Sequence, residues 1–482
     1  LLENFELNTI YDLNLIAYLL NKAIKDDIAI LMNNDGYDIP LIHDIIKKKI
    51  SIEEIVCKKA KYIYDTHEEN IINIKSEDMY ELYEQIELPL SKVLARMEYN
   101  GIRCDANILN EMQNNIEAEI DDISKKIYEL VGEEFNISSP IQLSEILFEK
   151  LNLPHGKKLS RGYKTDAQSL EKLINYHPVI EQIIKYRNLT KLNSTYLKGL
   201  KEYIHEDGKI HTIYKQTQTR TGRLSSADPN LQNIPTRNDL GKMIRKAFVP
   251  EKSGFLSCDY SQIELRILAH LSKSEKLIEA FKNGDDIHTK VASDIFSKPM
   301  SEVTKQERRT AKAVIFGIVY GISGFGLGEN IGITPKEAKE FINKYLEIYP
   351  GVKQYMDLTV KSAYECGYVR TMFKRKRNID ELFNTNYMIR QGGERIALNT
   401  PIQGSSADII KKAMIEIDEA FIKNNIKSKM LLQIHDELVF DIEEGELETV
   451  KKIVKEIMEH TVNLLVPLEV STDFGTDLYE TK

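Results

Sequence analysis

The segment SKMLLQIHDELVFDIEE, residues 428–444, sets two apolar runs on either side of a short polar step, His435-Asp436-Glu437. That pattern reads as a β-hairpin with the polar residues at its tip. A second apolar run leads into Asp259 in LSCDYSQIELRIL, residues 256–268, and reads as a buried strand followed by a helix start. A buried carboxylate is costly unless a cation or strong donors neutralise it, so both acids need a partner. The chain must therefore build a sheet. Around it strands and helices alternate irregularly, and the expectation is an α+β architecture with helical subdomains around a sheet.

With 482 residues the chain exceeds one ordinary core and implies three or four domains or subdomains. Residues 1–80 are acidic and mostly helical in pattern, and LPLSKVLARMEYNGIRCD (88–105) opens a helical region that runs to about residue 205. Within it, SSPIQLSEILFEK carries Ser and Pro as helix-start signals. GKIHTIYKQTQT (208–219) alternates Ile210, Thr212 and Tyr214 on one face, a strand signature, before the turn-rich GRLSSADPNLQNIP. The 42% hydrophobic and 29% charged content is that of a soluble globular protein, and no run of 18 apolar residues is present to span a membrane. A net charge of −9 argues against coating nucleic acid by bulk attraction, while leaving room for a local basic cleft. The four cysteines show no C-x-x-C spacing, which removes a zinc module and gives no disulfide framework, so a reducing compartment is expected. Cys258 reads as a small buried hydrophobe. The chain starts at Leu1 without a targeting pattern, as a fragment or processed product would.

In RRTAKAVIFGIVYG, Arg308, Lys312, Phe316 and Tyr320 recur every four residues. Each step of four turns a helix by about 40°, so the four side chains form one stripe. Cations at one end and rings at the other would suit a nucleotide, triphosphate against the charges and base against the rings. The alternative treats the rings as core and the cations as a solvated end. Asp259 and Asp436 pose a similar choice. On neighbouring strands they would converge and could share two divalent ions about 4 Å apart; otherwise Asp259 is a helix N-cap and the H-D-E step a polar turn.

These same residues carry a resemblance. DYSQIELR (259–266), RRTAKAVIFGIVYG (308–321) and QIHDELVF (433–440) resemble motifs A, B and C of the family A, DNA polymerase I-like, DNA polymerases, in the right order. TGRLSSADPNLQNIP (221–235) and LNTPIQGSSADIIKKAM (398–414) are similar to that family as well. The resemblance implies a right-hand polymerase fold: thumb at 81–205, palm at 206–265 and 391–482, fingers at 266–390. It implies template-directed addition of dNTPs to a primer 3′-OH with two Mg²⁺ ions. Asp259, Asp436 and the Tyr260 carbonyl would be the metal ligands. Arg308, Lys312 and His288 would meet the triphosphate, with Lys312 protonating pyrophosphate. Phe316, Tyr320 and Gln262 would line the nucleotide pocket. Glu264 would be a steric gate that fills the space of a ribose 2′-OH. Without the resemblance, His288 reads as an exposed loop histidine and Glu264 as a solvated helix residue. Arg223, Asn230, Gln232, Asn233, Arg395, Asn399, Gln403 and His435 would hold the primer–template end, since such donors test minor-groove geometry without reading sequence. The five basic residues of CGYVRTMFKRKRN (366–378) would either contact template phosphates or form a solvated turn.

Near the start, IYDLNLIAYLLN with Asp12 and KYIYDTHEEN with Asp65 resemble motifs II and III of a 3′–5′ exonuclease (RNase H-like) domain, which residues 1–80 would represent in part. Lys61 stands where that family has tyrosine, and the D-x-E of motif I would lie upstream, so proofreading is expected only of a longer parent protein. The resemblance further implies a monomer, no membrane, and a helicase or primase as additional partners. The Lys-, Asn- and Ile-rich, Trp-free composition marks an AT-rich genome. Taken with the resemblance it points to a plastid (apicoplast) replicative polymerase of malaria-type parasites, with a bacterial cytoplasm as the alternative.

Overall fold

The computed structural model describes residues 11–22, 27–48, 51–156, 158, 162–235 and 239–481. The chain divides into two compact units. The first comprises Leu1–Asn100, Ile213–Ala227 and Leu256–Asp473; the second comprises Gly101–Thr212, Asp228–Phe255 and Phe474–Lys482.

The sheet at the centre of the first unit has strands β1 (Gly254–Tyr260), β2 (Lys429–Ile434), β3 (Glu437–Ile442) and β4 (Val470–Gly475), in the order β4-β1-β3-β2. Strands β2 and β3 are the hairpin expected from the sequence, antiparallel with Ile434 opposite Glu437. Its turn is the pair His435-Asp436, and His435 takes φ 56°, as the tightest hairpin turns require. Glu437 lies in β3, where its buried carboxylate accepts from the Ser257 hydroxyl of β1.

Four helices bear on the site: α1 (Ile263–Ser272), α2 (Ile287–Phe296), α3 (Lys305–Val319) and α4 (Tyr387–Lys423). Thr304 and Glu307 form a capping box at the start of α3, satisfying amides that a helix end leaves open. Helix α4 contains Pro401, and the Ser405 hydroxyl donates to the Pro401 carbonyl at 2.5 Å. One apolar core joins sheet and helices, drawing on Leu256, Leu265, Ile318, Ile409, Leu438 and Phe440. Each such side chain contributes roughly 1.5–3 kcal/mol on burial.

Ile210, Thr212 and Tyr214 are all buried, as their alternation predicts. The backbone nevertheless breaks into two strands: Lys209–Ile210 pairs with Ile102–Arg103, and Ile213–Lys215 with Ser225–Ala227. Side-chain burial keeps its period of two while the hydrogen-bonding partner changes, so a short strand lies inside the segment expected to be loop.

Among the described residues before Ile102 there is no strand. Asp12 caps the helix Leu13–Leu19, accepting from Leu15 N at 3.1 Å. Asp65 is exposed and pairs with Lys61 one turn earlier, at 2.8 Å. In the second unit, Ser139 and Pro140 start a helix as predicted. There the helix Ala106–Val131 packs on Val179–Leu192 and stops at Gly132, φ 81°. Arg245 Nε donates to the Leu478 carbonyl at 2.9 Å and ties two segments of that unit together. All four cysteines are free thiols, and Cys258 is buried. No described helix is long and apolar enough to cross a membrane.

Candidate active site

Asp259 is the penultimate residue of β1, and Asp436 sits in the turn just before the neighbouring β3. The Tyr260 amide donates to the Asp436 carbonyl at 3.2 Å, so the two acids lie across one strand junction. Burial raises the Asp436 carboxyl above the usual carboxylate range and the Asp259 charge adds to it, while Arg223 and Ser406 act against this. Ser406 on α4 donates to Asp436 Oδ1 at 3.1 Å. The N-cap position of α1 belongs to Gln262, in left-handed conformation with φ 56°, so Asp259 is not a helix cap.

These are two carboxylates, not a closed cage. Among the described residues no group of three or more His, Cys, Asp or Glu is arranged to hold a metal. Two acids at a strand junction, with one carboxyl raised by burial and further by the charge of the other, suit a hard divalent cation. Mg²⁺ in particular takes few protein carboxylates and completes its shell with water and substrate phosphate.

Glu264, on the first turn of α1, is only 6% exposed, which overturns the solvated reading. Arg223 Nη2 donates to one oxygen and Tyr320 Oη to the other, each at 2.8 Å. Burial raises the Glu264 carboxyl, and Arg223, Tyr320 and Gln403 pull it back. Arg223, expected at the primer end, is thus engaged with Glu264.

The stripe on α3 faces outward. Lys312 and Tyr320 are exposed and Arg308 and Phe316 half-buried, whereas Ala311, Val314, Ile315 and Ile318 fill the core. The rings are therefore not core. Phe316 and Tyr320 stack with centroids 6.1 Å apart, Lys312 Nζ lies 5.8 Å from the Phe316 ring centroid, and the His288 ring lies 5.9 Å from it. His288 sits inside α2 at 4% exposure, not in an exposed loop. Burial first, then the charge of Lys312, pushes its pKa down to about 4, so it is neutral at pH 7. Gly321 ends the stripe at φ 62°, and a Cβ there would come within 2.9 Å of the Arg395 side chain.

Arg395, Asn399 and Gln403 recur every four residues on one face of α4, and Gln403 reaches Glu264. His435 is exposed at the hairpin turn. Asn230, Gln232 and Asn233 belong to the second unit, where the Asn230 side chain accepts from Gln232 N at 3.0 Å. The basic run 366–378 is largely neutralised within the chain. Arg370 and Lys376 pair with Glu77, Lys374 with Asp78, and Arg375 with Glu87 and Asp408. Sequence reasoning missed those acids, together with Asp286, two residues before His288, and Ser406, which lies inside the quoted LNTPIQGSSADIIKKAM.

The model of DNA polymerase family A matches residues 106–480. The chain belongs to this family. Among its relatives, DNA polymerase I of Bacillus subtilis (strain 168) is 46% identical over 98% of this chain and 55% of its own length. DNA polymerase I of Caldicellulosiruptor bescii is 52% identical over 83% of the chain and 47% of its own length. The chain thus spans about half the length of the curated family A relatives it matches. A solved structure, the POL domain of Pol1 from M. smegmatis in complex with DNA primer-template and dNTP, is similar with TM-score 0.90 at 38% identity, covering 98% of this chain and 82% of that one. These family A relatives are bacterial. They give no support to the plastid origin expected from composition and favour the bacterial alternative; AT-rich coding marks a genome's base content, not its compartment.

Proposed function

We propose that this chain extends a primer 3′-OH along a DNA template, taking dNTPs as substrates and releasing pyrophosphate, in a bacterial setting. One observation carries the reading. Tyr320, the ring end of the α3 stripe, donates to Glu264, which also accepts from Arg223, and the Arg223 charge acts on Asp436 at the strand junction. A nucleotide lying along α3 with its phosphates on the cations would therefore set its sugar beside Glu264, next to the junction that holds the two carboxylates.

Asp259, Asp436 and the Tyr260 carbonyl would hold divalent cations, Mg²⁺ by its ligand preference, which when bound promote attack by the primer hydroxyl and stabilise the leaving pyrophosphate. Arg308 and Lys312 would grip the triphosphate, and Lys312 would deliver a proton to pyrophosphate. Neutral His288 can donate to a phosphate oxygen without adding charge. Phe316 would carry the base, and Glu264, fixed from both sides, would leave no room for a 2′-OH. Arg395, Asn399, Gln403 and His435 would hold the primer–template end, and Asn230, Gln232 and Asn233 of the second unit would be DNA contacts of that unit.

Primer extension with Mg²⁺ tests this, comparing dNTPs with rNTPs and scoring 3′ degradation in the same lanes. Template-dependent extension by dNTPs is expected, and its loss in Asp436→Asn. A wild-type chain that adds no nucleotide, or an Asp436→Asn chain that still does, sinks the reading.

A further inference from the structure

Arg308, the first cation of the α3 stripe, is already held by an acid. Its Nε and Nη2 reach Asp286 Oδ2 at 3.1 and 2.6 Å, a charge-assisted pair with both side chains 43% exposed. Asp286 is itself fixed, because its other oxygen caps α2 by accepting from Thr289 N at 2.9 Å. Two residues on, His288 is buried with Nδ1 unpartnered. One turn along α3 stands Lys312, exposed. The neighbourhood thus holds two cations, one neutral histidine and an acid that pairs with one of the cations.

That acid conflicts with simple anion binding. A triphosphate brings several negative charges, and Arg308 cannot keep both contacts to Asp286 Oδ2 while turning its Nε–Nη2 edge to phosphate for a two-donor contact. A phosphate that takes this edge must displace the carboxylate and then sit beside it, like charge against like.

We propose that Asp286 is a specificity-determining positioning residue. It occupies Arg308 in place of phosphate when no nucleotide is bound, and surrenders it to the incoming triphosphate. The inference rests on the reading of α3 as the triphosphate's site. Two consequences follow. Before binding, Asp286 offsets the repulsion between Arg308 and Lys312 and keeps the guanidinium oriented beside α2. After the reaction, re-formation of the ion pair competes with pyrophosphate for Arg308 and favours its departure. A ligand with few phosphates gains too little to displace the carboxylate, so the exchange discriminates by phosphate count.

Two variants of the full chain separate charge from capping. Asp286→Asn keeps a capping oxygen as good as aspartate's and loses the charge, whereas Asp286→Glu keeps the charge and caps poorly. The measurements are KM for dNTP and Ki for pyrophosphate in primer extension, and Kd for inorganic tripolyphosphate without DNA by calorimetry. Asp286→Asn is expected to lower all three by about two- to fivefold, the range that a half-exposed ion pair can supply, with KM moving more than kcat. Asp286→Glu should stay near wild type. Values that are unchanged or raised in Asp286→Asn overturn the proposal, as does a pattern in which Asp286→Glu is the more perturbed variant and the shift tracks the melting temperature. If the wild-type chain extends no primer yet Asp286→Asn tightens tripolyphosphate, the polymerase reading fails and the Asp286 assignment stands. If extension proceeds and tripolyphosphate affinity does not move, the reverse holds.

Discussion

Two residues near the carboxylate pair owe their behaviour to burial. Glu264 is clamped by Arg223 and Tyr320 on its two oxygens, which in the proposed gate role would hold it in place against a larger sugar. Glu264→Ala would open that space, and rNTP incorporation relative to dNTP should rise by roughly tenfold or more, the scale on which one pocket group discriminates. A competition assay with both nucleotide types reads the ratio directly; no change would leave Glu264 only a structural role. His288 makes a second prediction, through pH. Its folded pKa of about 4 lies below the unfolded value near 6.5, so the unfolded chain takes up the proton first as pH falls. The stability held above pH 6.5 should drain away toward pH 4, by about 2–3 kcal/mol from this group. Urea unfolding at pH 7 and pH 4.5 should therefore show a larger acid loss for wild type than for His288→Gln, and equal losses would refute it.

At the scale of elements, α4 is pinned to the rest of the first unit by charges rather than by apolar contacts alone. Lys411 donates to Glu87 Oε1 at 2.6 Å, and Arg375 bonds both Glu87 and Asp408; all four side chains are 3% exposed or less. Burial would raise the Glu87 carboxyl, but Lys411 and Arg375 together hold it at about 2. Because two acids meet two cations, removing one cation leaves an uncompensated buried charge. Lys411→Met should cost about 3–5 kcal/mol, measurable as a fall in the chemical denaturation midpoint, whereas a surface pair such as Lys353–Asp357 should cost under about 1 kcal/mol. The same cluster shows why part of the site escapes a reading of sequence. Arg308, Lys312, Phe316 and Tyr320 lie on one helix, so their spacing alone gives the stripe, and the hairpin tip at His435-Asp436 is equally local. Glu87 and Lys411 are 324 positions apart, and no local pattern pairs them. The exposed-loop reading of His288 fails for the same reason, because α3 packs on α2, which carries it. Asp286 is an intermediate case, readable as a helix cap but not as the partner of Arg308 22 residues away.

For the whole molecule, the charge balance frames how a chain of net charge −9 could hold a polyanion. Binding must come from local donors, and the most basic stretch is a poor source because Arg370, Lys374, Arg375 and Lys376 are spent on Glu77, Asp78, Glu87 and Asp408. Lys374→Ala should thus leave the salt dependence of primer–template affinity unchanged, where loss of a true phosphate contact would flatten the slope of log K against log salt by about one. Asp259 and Asp436 add a complementary expectation, since they put two negative charges at the proposed reaction centre. Replacing both by Asn removes the proposed metal ligands and also relieves repulsion toward DNA. Fluorescence anisotropy with a labelled primer–template should show affinity equal to or tighter than wild type, while extension drops by at least about a hundredfold. Weakened binding in the double variant would mean that the carboxylates hold the duplex itself, through cations shared with its phosphates, and that binding and chemistry are not separable at this strand junction.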